Sequence, residues 1–188
     1  MDDDRPASPK LAPKLLLSMP QLVDPNFRRT VILLCEHSDD GAWGLVLNRP
    51  SGKTAASVVD FTPSLSGDSG IEVWFGGPVE PQRGALLLPE EPPGADVFEV
   101  ATGVFVSSSS ELLRALIEGP PVANARLLMG YAGWGPRQLD RELTESSWLI
   151  SDVDRAIVFE TNPPEMWEAA IRRLGVDPAA LQTSSGIH

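Results

Sequence analysis

The chain has 188 residues, 42% of them hydrophobic and 22% charged, which fits a single globular domain that buries its own core. Its formal net charge of −11 at pH 7 argues against a nucleic-acid-binding face, because such faces are built from clustered Lys and Arg. The single cysteine excludes an internal disulfide, and no apolar run is long enough for a membrane span or a signal peptide, so we expect a cytoplasmic protein.

Both ends of the chain lack a hydrophobic period. Residues 1–14 combine three aspartates with three prolines, and residues 182–188 are mostly small or polar. We therefore expect two disordered tails around one folded domain at residues 15–181.

The first part of that domain predicts a hairpin. Leu15 to Leu17 indicates a short initial strand, and Thr30 to Glu36 is a dense leucine and β-branched run that is typical of a buried strand. A turn sequence, Ser38-Asp39-Asp40-Gly41, follows it, and Ala42 to Asn48 supplies an antiparallel partner.

The remaining chain alternates short strands with few helices. Strands are predicted at Ile71 to Phe75, Gly84 to Leu88, Val97 to Val100, Gly103 to Val106, Ala125 to Met129, Trp148 to Ile150 and Ala156 to Phe159. Helices are predicted at Thr54 to Asp60, after a cap at Ser108, after Pro136 and from Pro163 to Leu174. Because hairpins outnumber crossover helices, this order favours an α+β fold over a doubly wound sheet.

A glycine-rich stretch predicts a binding corner. Gly130, Tyr131, Gly133 and Trp134 lie between a predicted strand and a predicted helix that contains Gln138, so we expect a turn there. Glycines let backbone N–H groups approach a ligand, and the start of a helix adds partial positive charge. The two aromatic side chains supply flat walls, although no reaction is indicated.

A second group of polar residues brackets the first hairpin. Asp24, Asn26 and Arg29 precede its first strand, and Asn48 and Arg49 end its second, so we expect the two turns to meet. Two interpretations stay open: a network that stabilises the turns, or a site where arginine holds a carboxylate or phosphate.

Cys35 and His37 are two residues apart in a predicted strand and share one face if the strand continues. A neighbouring imidazolium lowers the pKa of a thiol, so one hypothesis is a redox or thiol-reactive centre, and the other is a buried core cysteine. The sequence contains no nucleophile elbow, phosphate loop or zinc-ligand set. We therefore expect no catalytic residue, no metal and no cofactor.

Several motifs resemble those of one bacterial family. Met19-Pro20-Gln21-Leu22, Asp24-Pro25-Asn26-Phe27 and the stretch from Gly41 to Pro50 are similar to the N-terminal signature of the YqgE/AlgH family. Gly76-Gly77-Pro78-Val79 and Gly130-Tyr131-Ala132-Gly133-Trp134-Gly135 resemble its later motifs. The chain departs from the usual family pattern at Leu88, Arg137 and Asp140, where relatives usually carry histidine, glycine and glutamate.

The resemblance implies a single α+β domain with a bifurcated, mostly antiparallel sheet that includes a small, partly closed barrel and is flanked by helices. It also implies a cytoplasmic bacterial protein of the kind often labelled a transcriptional regulator. No helix-turn-helix is evident in the sequence, however, and the acidic balance argues against direct DNA binding.

Together these features predict a non-enzymatic binding or regulatory protein that recognises a small anionic ligand or a protein segment. The alternatives are a thiol sensor that uses Cys35 with His37, and a DNA-binding regulator. The oligomeric state stays open. The predicted ligand-binding residues are Asp24, Asn26, Arg29, Asn48, Arg49, Gly76, Gly77, Gly130, Tyr131, Gly133, Trp134 and Gln138.

Overall fold

The predicted first hairpin lies inside the sheet, with further strands on both sides. In the computed structural model, which describes residues 10–184, Val31–Ser38 (β2) pairs antiparallel with Gly41–Val46 (β3) across the predicted turn. Lys14–Ser18 (β1) pairs with the other side of β2, and Trp148–Ser151 (β10) pairs with the far side of β1. The leucine-rich run of β2 is buried, as the sequence predicts.

Six further strands complete the described sheet. They are Pro50–Thr54 (β4), Glu72–Phe75 (β5), Val79–Leu88 (β6), Phe98–Ala101 (β7), Val104–Ser107 (β8) and Arg126–Trp134 (β9). The strand order is β10-β1-β2-β3-β9-β6-β8-β7, with β5 beside β9 and β4 beside β5. The pair β5 and β9 is parallel, and the other neighbouring strands of the described sheet are antiparallel.

The sheet forks along β9. Residues 126–129 pair with β5, whereas residues 132–134 pair with β3. Gly130 lies at the fork with φ +72, and a Cβ there would come within 2.2 Å of the Gly77 carbonyl oxygen. The resulting sheet curls into half of a barrel, which confirms the α+β class and the bifurcated, mostly antiparallel arrangement.

Short helices cover both faces of the sheet. In the described part of the chain they are Ala55–Val58 (α1), Ser110–Glu118 (α2), Gln138–Thr144 (α3), Arg155–Glu160 (α4), Pro163–Arg173 (α5) and Pro178–Ser184 (α6). The cap of α2 is Ser109, one residue after the predicted Ser108, and its hydroxyl accepts a hydrogen bond from Leu112 N at 3.1 Å.

The segment from Ala156 to Phe159 is helical, so the strand predicted there is wrong. Asp154 precedes it, and one carboxylate oxygen accepts hydrogen bonds from Ala156 N at 2.9 Å and Ile157 N at 3.2 Å. Satisfying these two free N–H groups starts α4. A short apolar run carries too little periodicity to separate a buried strand from a buried helix.

The sheet has one continuous apolar face and one divided face. On what we call the inner face, β1, β2, β3, β6, β8 and β9 contribute one cluster that packs against α4 and α5, with Trp167 fully buried. On the outer face, α3 covers one cluster through Leu139, and α2 covers another through Leu113 and Ile117.

The parts of the two predicted tails that adjoin the domain belong to the folded structure. Leu11 and Ala12 pack against the outer-face cluster beneath α3, and α6 extends past the predicted domain end at residue 181. The outer parts of both predicted tails, residues 1–9 and 185–188, lie outside the described residues.

Candidate binding groove

The curl of the sheet leaves part of the inner face open. A groove of about 970 Å³ lies there, lined by residues of β2, β3, β6, β8 and β9 and by Phe98 of β7. Cys35, Leu45 and Val106 belong both to this lining and to the inner core. The groove is therefore an exposed continuation of the hydrophobic core, with a volume typical of ligand sites.

Four aromatic residues line the groove: Trp43, Phe98, Tyr131 and Trp134. Trp43 of β3 and Tyr131 of β9 meet edge to face, with ring centroids 6.4 Å apart and an interplanar angle of 81°. Phe98 is 58% exposed, although a phenylalanine gains most from burial. Exposed aromatic surface in a concave site is the usual mark of a binding surface.

The charges around the groove are mainly negative. Glu36 accepts a hydrogen bond from Trp43 Nε1 at 3.1 Å, and Asp40 is exposed in the lining. Arg83 also lines the groove, but its Nη1 lies 3.4 Å from Glu80 Oε2, so its charge is offset. Partial burial, together with a hydrogen bond to Glu80, raises the pKa of the Tyr131 hydroxyl, which stays protonated at neutral pH.

The stretch from Gly130 to Trp134 is strand, not the predicted turn. Its last residues pair with β3, and the turn into α3 is confined to residues 135–137. Gly130, Tyr131, Gly133 and Trp134 all line the groove, as strand residues rather than as a ligand-binding loop.

Gly76 and Gly77 fasten the β5–β6 connection to the sheet. Gly76 N donates to Met129 O at 2.7 Å, and Gly76 O accepts from Val46 N at 2.8 Å. A Cβ on Gly77 would lie 2.0 Å from the Tyr131 carbonyl carbon. These glycines therefore permit two backbones to touch, and neither belongs to the groove lining.

Gln138 belongs to a polar cluster centred on Glu142 of α3. Gln138 Nε2 donates to Glu142 Oε1 at 2.9 Å, and its own Oε1 accepts from Gly135 N at 3.0 Å. Glu142 Oε2 accepts the indole N–H groups of Trp134 at 2.9 Å and Trp148 at 2.8 Å. The cluster closes α3 over the outer face.

Asp24, Asn26 and Arg29 shape the turn that leads into β2. Asp24 Oδ1 accepts from Asn26 N at 2.9 Å. Arg29 Nη2 donates to Glu168 Oε1 of α5 at 2.6 Å, and its guanidinium lies 4.8 Å from the centre of the Trp167 ring. Hydrogen bonding by Arg29 lowers the pKa of Glu168. Arg29 thus joins this turn to α5.

Asn48 and Arg49 meet that turn from the end of β3, as expected. Asn48 Oδ1 accepts from Val31 N at 3.1 Å, and its Nδ2 donates to Arg29 O at 2.8 Å. Arg49 donates to Arg28 O, and burial lowers its pKa. These contacts match the turn-stabilising interpretation, and the structure places both turns away from the groove lining.

Cys35 and His37 lie on opposite faces of β2. The register with β3 shifts between Leu34 and Glu36, and this bulge reverses the alternation on which the predicted pairing depended. Cys35 packs into the inner core, where burial, with a smaller contribution from Glu36, raises the pKa of its thiol. An activating imidazole is therefore not brought to the thiol.

His37 instead joins the N-terminal segment to α3. Its Nδ1 accepts from Leu11 N at 3.3 Å, and its Nε2 lies 3.3 Å from Asp140 Oδ1. Nε2 faces the Asp140 carboxylate but forms no hydrogen bond with any described residue. His37 thus holds the N-terminal segment on the outer face, beside α3.

Sequence reasoning missed most of the groove lining, including Glu36, Trp43 and Phe98. Strand alternation does place residue 43 on the same face as Leu45, and residue 98 on the same face as Val100. It could not show that part of this face is uncovered, because that depends on the curl of the whole sheet.

Two structural features bear on other classes of function. Within residues 10–184, no group of three or more His, Cys, Asp or Glu side chains is placed to hold a metal ion. Across the same described residues, no helix is both long enough and apolar enough to cross a membrane.

Comparison with known proteins decides the family, since an AlgH-like family model matches residues 15–179. The chain belongs to the AlgH-like family. A UPF0301 protein of Myxococcus xanthus is 40% identical over 180 residues, covering 95% of this chain and 98% of the relative. A UPF0301 protein of Methylococcus capsulatus is 38% identical over 181 residues, covering 94% and 95% respectively. The family expected from the motifs is confirmed.

Two solved structures share this fold. The solution structure of AlgH from Pseudomonas aeruginosa matches with a TM-score of 0.76 at 36% identity, covering 98% of this chain and 99% of that one. A crystal structure of a Corynebacterium diphtheriae protein matches with a TM-score of 0.65 at 23% identity, which supports the fold alone.

Proposed function

We propose that this AlgH-like protein acts by binding, and that its groove holds an extended segment of a partner protein. One observation carries the proposal: exposed Phe98 lies with Trp43 and Tyr131 along an open groove that continues the core. A large apolar side chain of the partner, seated among these rings, gains the burial that Phe98 lacks in the free protein.

The groove favours a protein segment over a small anion. Glu36 and Asp40 contribute negative charge, and the positive charge of Arg83 is offset by Glu80. The arginines predicted to hold an anion, Arg29 and Arg49, are engaged by Glu168 and by the Arg28 carbonyl. The matching segment therefore carries an aromatic or large aliphatic side chain next to Lys or Arg.

The edge of the sheet also suits an extended occupant. β7 ends the strand order of the described sheet, and Phe98 of β7 lies opposite Val106 of β8, with both residues in the groove lining. An extended chain beside β7 presents every second side chain to the groove. The Tyr131 hydroxyl, which donates its proton to Glu80, offers the chain a hydrogen-bond acceptor.

Selection from a displayed random-peptide library on the full-length chain tests the proposal. We expect enrichment of peptides that combine aromatic or aliphatic residues with Lys or Arg, and weaker binding of those peptides to Phe98→Ser. Val23→Ser is the matched control, because Val23 is 92% exposed and lies outside the groove. Equal binding of the selected peptides to both variants contradicts the proposal.

A second variant tests the electrostatic attraction between the acidic groove and basic peptides. Asp40→Asn removes one negative charge from the groove and is expected to weaken selected basic peptides, with a smaller effect at high salt. Asp60→Asn, at an exposed carboxylate outside the groove, is the control. Identical losses in the two variants would assign the attraction to net charge rather than to the groove.

A further inference from the structure

A second cavity, of about 500 Å³, lies between β5, β9 and the junction of α4 and α5. It shares no lining residue with the groove, and none of its residues was among the predicted site residues. Half of its lining residues are polar or charged, including Glu72, Asn124, Arg126 and Asn162.

Arg126 is the unusual residue of this cavity, because it is a cation only 6% exposed. Its guanidinium lies 4.2 Å from the centre of the Trp74 ring. Its Nη1 donates to Val158 O at 2.7 Å and its Nη2 to Phe159 O at 3.4 Å, which closes the last turn of α4. These bonds use two of five guanidinium N–H groups, and no acceptor for the others is found among residues 10–184.

A second donor in the same lining also lacks a partner. Ser69 Oγ is covered by the protein, yet it forms no hydrogen bond with any described residue. Buried polar groups of native proteins are nearly always hydrogen-bonded, since an unmet group loses its hydration without compensation. The Ser69 hydroxyl therefore marks a place for a hydrogen-bonding ligand, and the Arg126 guanidinium lines the same cavity.

The cavity also contains carboxylates. One oxygen of Glu72 accepts from Trp74 Nε1 at 3.2 Å. Glu160 also lines the cavity, but it is exposed and its Oε1 lies 3.7 Å from Arg155 Nη1. Burial lowers the pKa of Arg126, and Glu72 opposes that shift. An anion that offers only hydrogen-bond acceptors is repelled by Glu72, whereas a ligand that also donates a hydrogen bond can contact both Arg126 and Glu72.

From these contacts we infer that the cavity binds a small molecule that carries a carboxylate together with an amino or hydroxyl group. The planar guanidinium of Arg126 matches the two carboxylate oxygens, with the Ser69 hydroxyl as a further donor. The amino or hydroxyl group of the ligand donates to Glu72.

Titration of the full-length chain with L-serine and lactate, followed through the indole N–H signal of Trp74, tests this site. Trp74→Phe assigns the signal among the five tryptophans. We expect saturable shifts with both probes, weaker binding of acetate, which has no donor group, and no saturation with sulfate. Absence of saturation with every carboxylate, or sulfate binding as tight as that of L-serine, overturns the inference.

Two variants separate binding from stability. Ser69→Ala removes one hydrogen bond to the ligand and should weaken L-serine binding by about fivefold, whereas Ser64→Ala, at an exposed residue outside the cavity, should leave it unchanged. Arg126→Lys keeps the positive charge but loses the planar guanidinium with its paired N–H donors, so we expect no saturable binding of L-serine. If Arg126→Lys fails to fold, the Ser69 and Ser64 pair decides alone: equal affinities overturn the inference.

Discussion

At the scale of single residues, Glu142 shows how one charged side chain stabilises the fold. Glu142 accepts hydrogen bonds from two indoles and from Gln138, although a glutamate on a short helix is ordinarily solvated. Its acceptors hold buried Trp134 and Trp148 beneath α3. The same residue therefore connects the strand that lines the groove to the helix on the opposite face.

Glu142→Ala leaves the two indole N–H groups without their acceptor. Because an unmet buried donor costs about 1–3 kcal/mol, we expect the free energy of unfolding to fall by roughly 2–4 kcal/mol in urea titration. Glu145→Ala, at an exposed residue that ends the same helix, should change it by less than about 0.5 kcal/mol. A loss in Glu142→Ala no larger than this control would show that the indoles find other acceptors.

Cys35 makes stability depend on alkaline pH. Its folded pKa is raised by burial, so the folded thiol stays neutral after the unfolded thiol begins to ionise near its ordinary value of about 8.5. Its contribution is complete below that pH and is lost as pH rises toward the folded pKa. Urea titrations from neutral pH to about pH 10 should show a steeper loss in the parent than in Cys35→Ala.

Thiol labelling gives an independent check on the same residue. We expect the Cys35 thiol to react only after denaturation, because it is buried and the nearest candidate activator, His37, lies on the other face of β2. Rapid labelling of the folded chain at neutral pH would instead support a thiol-reactive role.

Among the elements, β9 organises the fold. Residues 126–129 of β9 pair with both β5 and β6, and residues 132–134 pair with β3. The connection between β5 and β6 crosses β9 so closely that a Cβ on Gly77 would lie 2.0 Å from the Tyr131 carbonyl carbon. The glycine motifs that suggested a binding corner are thus explained by this crossing of two backbones.

Gly77→Ala tests the crossing. A Cβ there meets the Tyr131 carbonyl carbon at 2.0 Å, so β9 must move, and we expect a loss above about 3 kcal/mol in the free energy of unfolding. Gly52→Ala is the matched control, because Gly52 also has positive φ but nothing within 4 Å, and only backbone strain of about 1–2 kcal/mol is expected. Equal losses in urea titration would mean that strain, not contact, explains both.

Secondary-structure elements could be predicted from the sequence better than the tertiary contacts between them. Leucine-rich β2, its turn and β3 follow from local pattern, and so does helix α5 after its two prolines. Two features could not be predicted from local pattern. The bulge at Cys35 depends on the register between β2 and β3, and the helical form of α4 depends on a single cap at Asp154. The groove depends on contacts between β3, β9 and β7, which are distant in sequence.

At the level of the whole molecule, the groove and the second cavity differ in character. The groove is aromatic and net acidic, while the second cavity is polar and contains a buried cation. A chain with a net charge of −11 repels acidic partners at long range, so the groove is suited to segments that bring positive charge of their own.

The indole N–H spectrum of the full-length chain, recorded during titration with a library-selected peptide, tests binding at the groove most directly. We predict that the Trp43 signal, assigned with Trp43→Phe, shifts to saturation because its indole lies in the groove lining beside Glu36. The Trp167 signal should stay in place, since that indole is buried and bonded to Ser18 O at 2.9 Å. A bound peptide that leaves Trp43 unchanged would contradict binding in the groove.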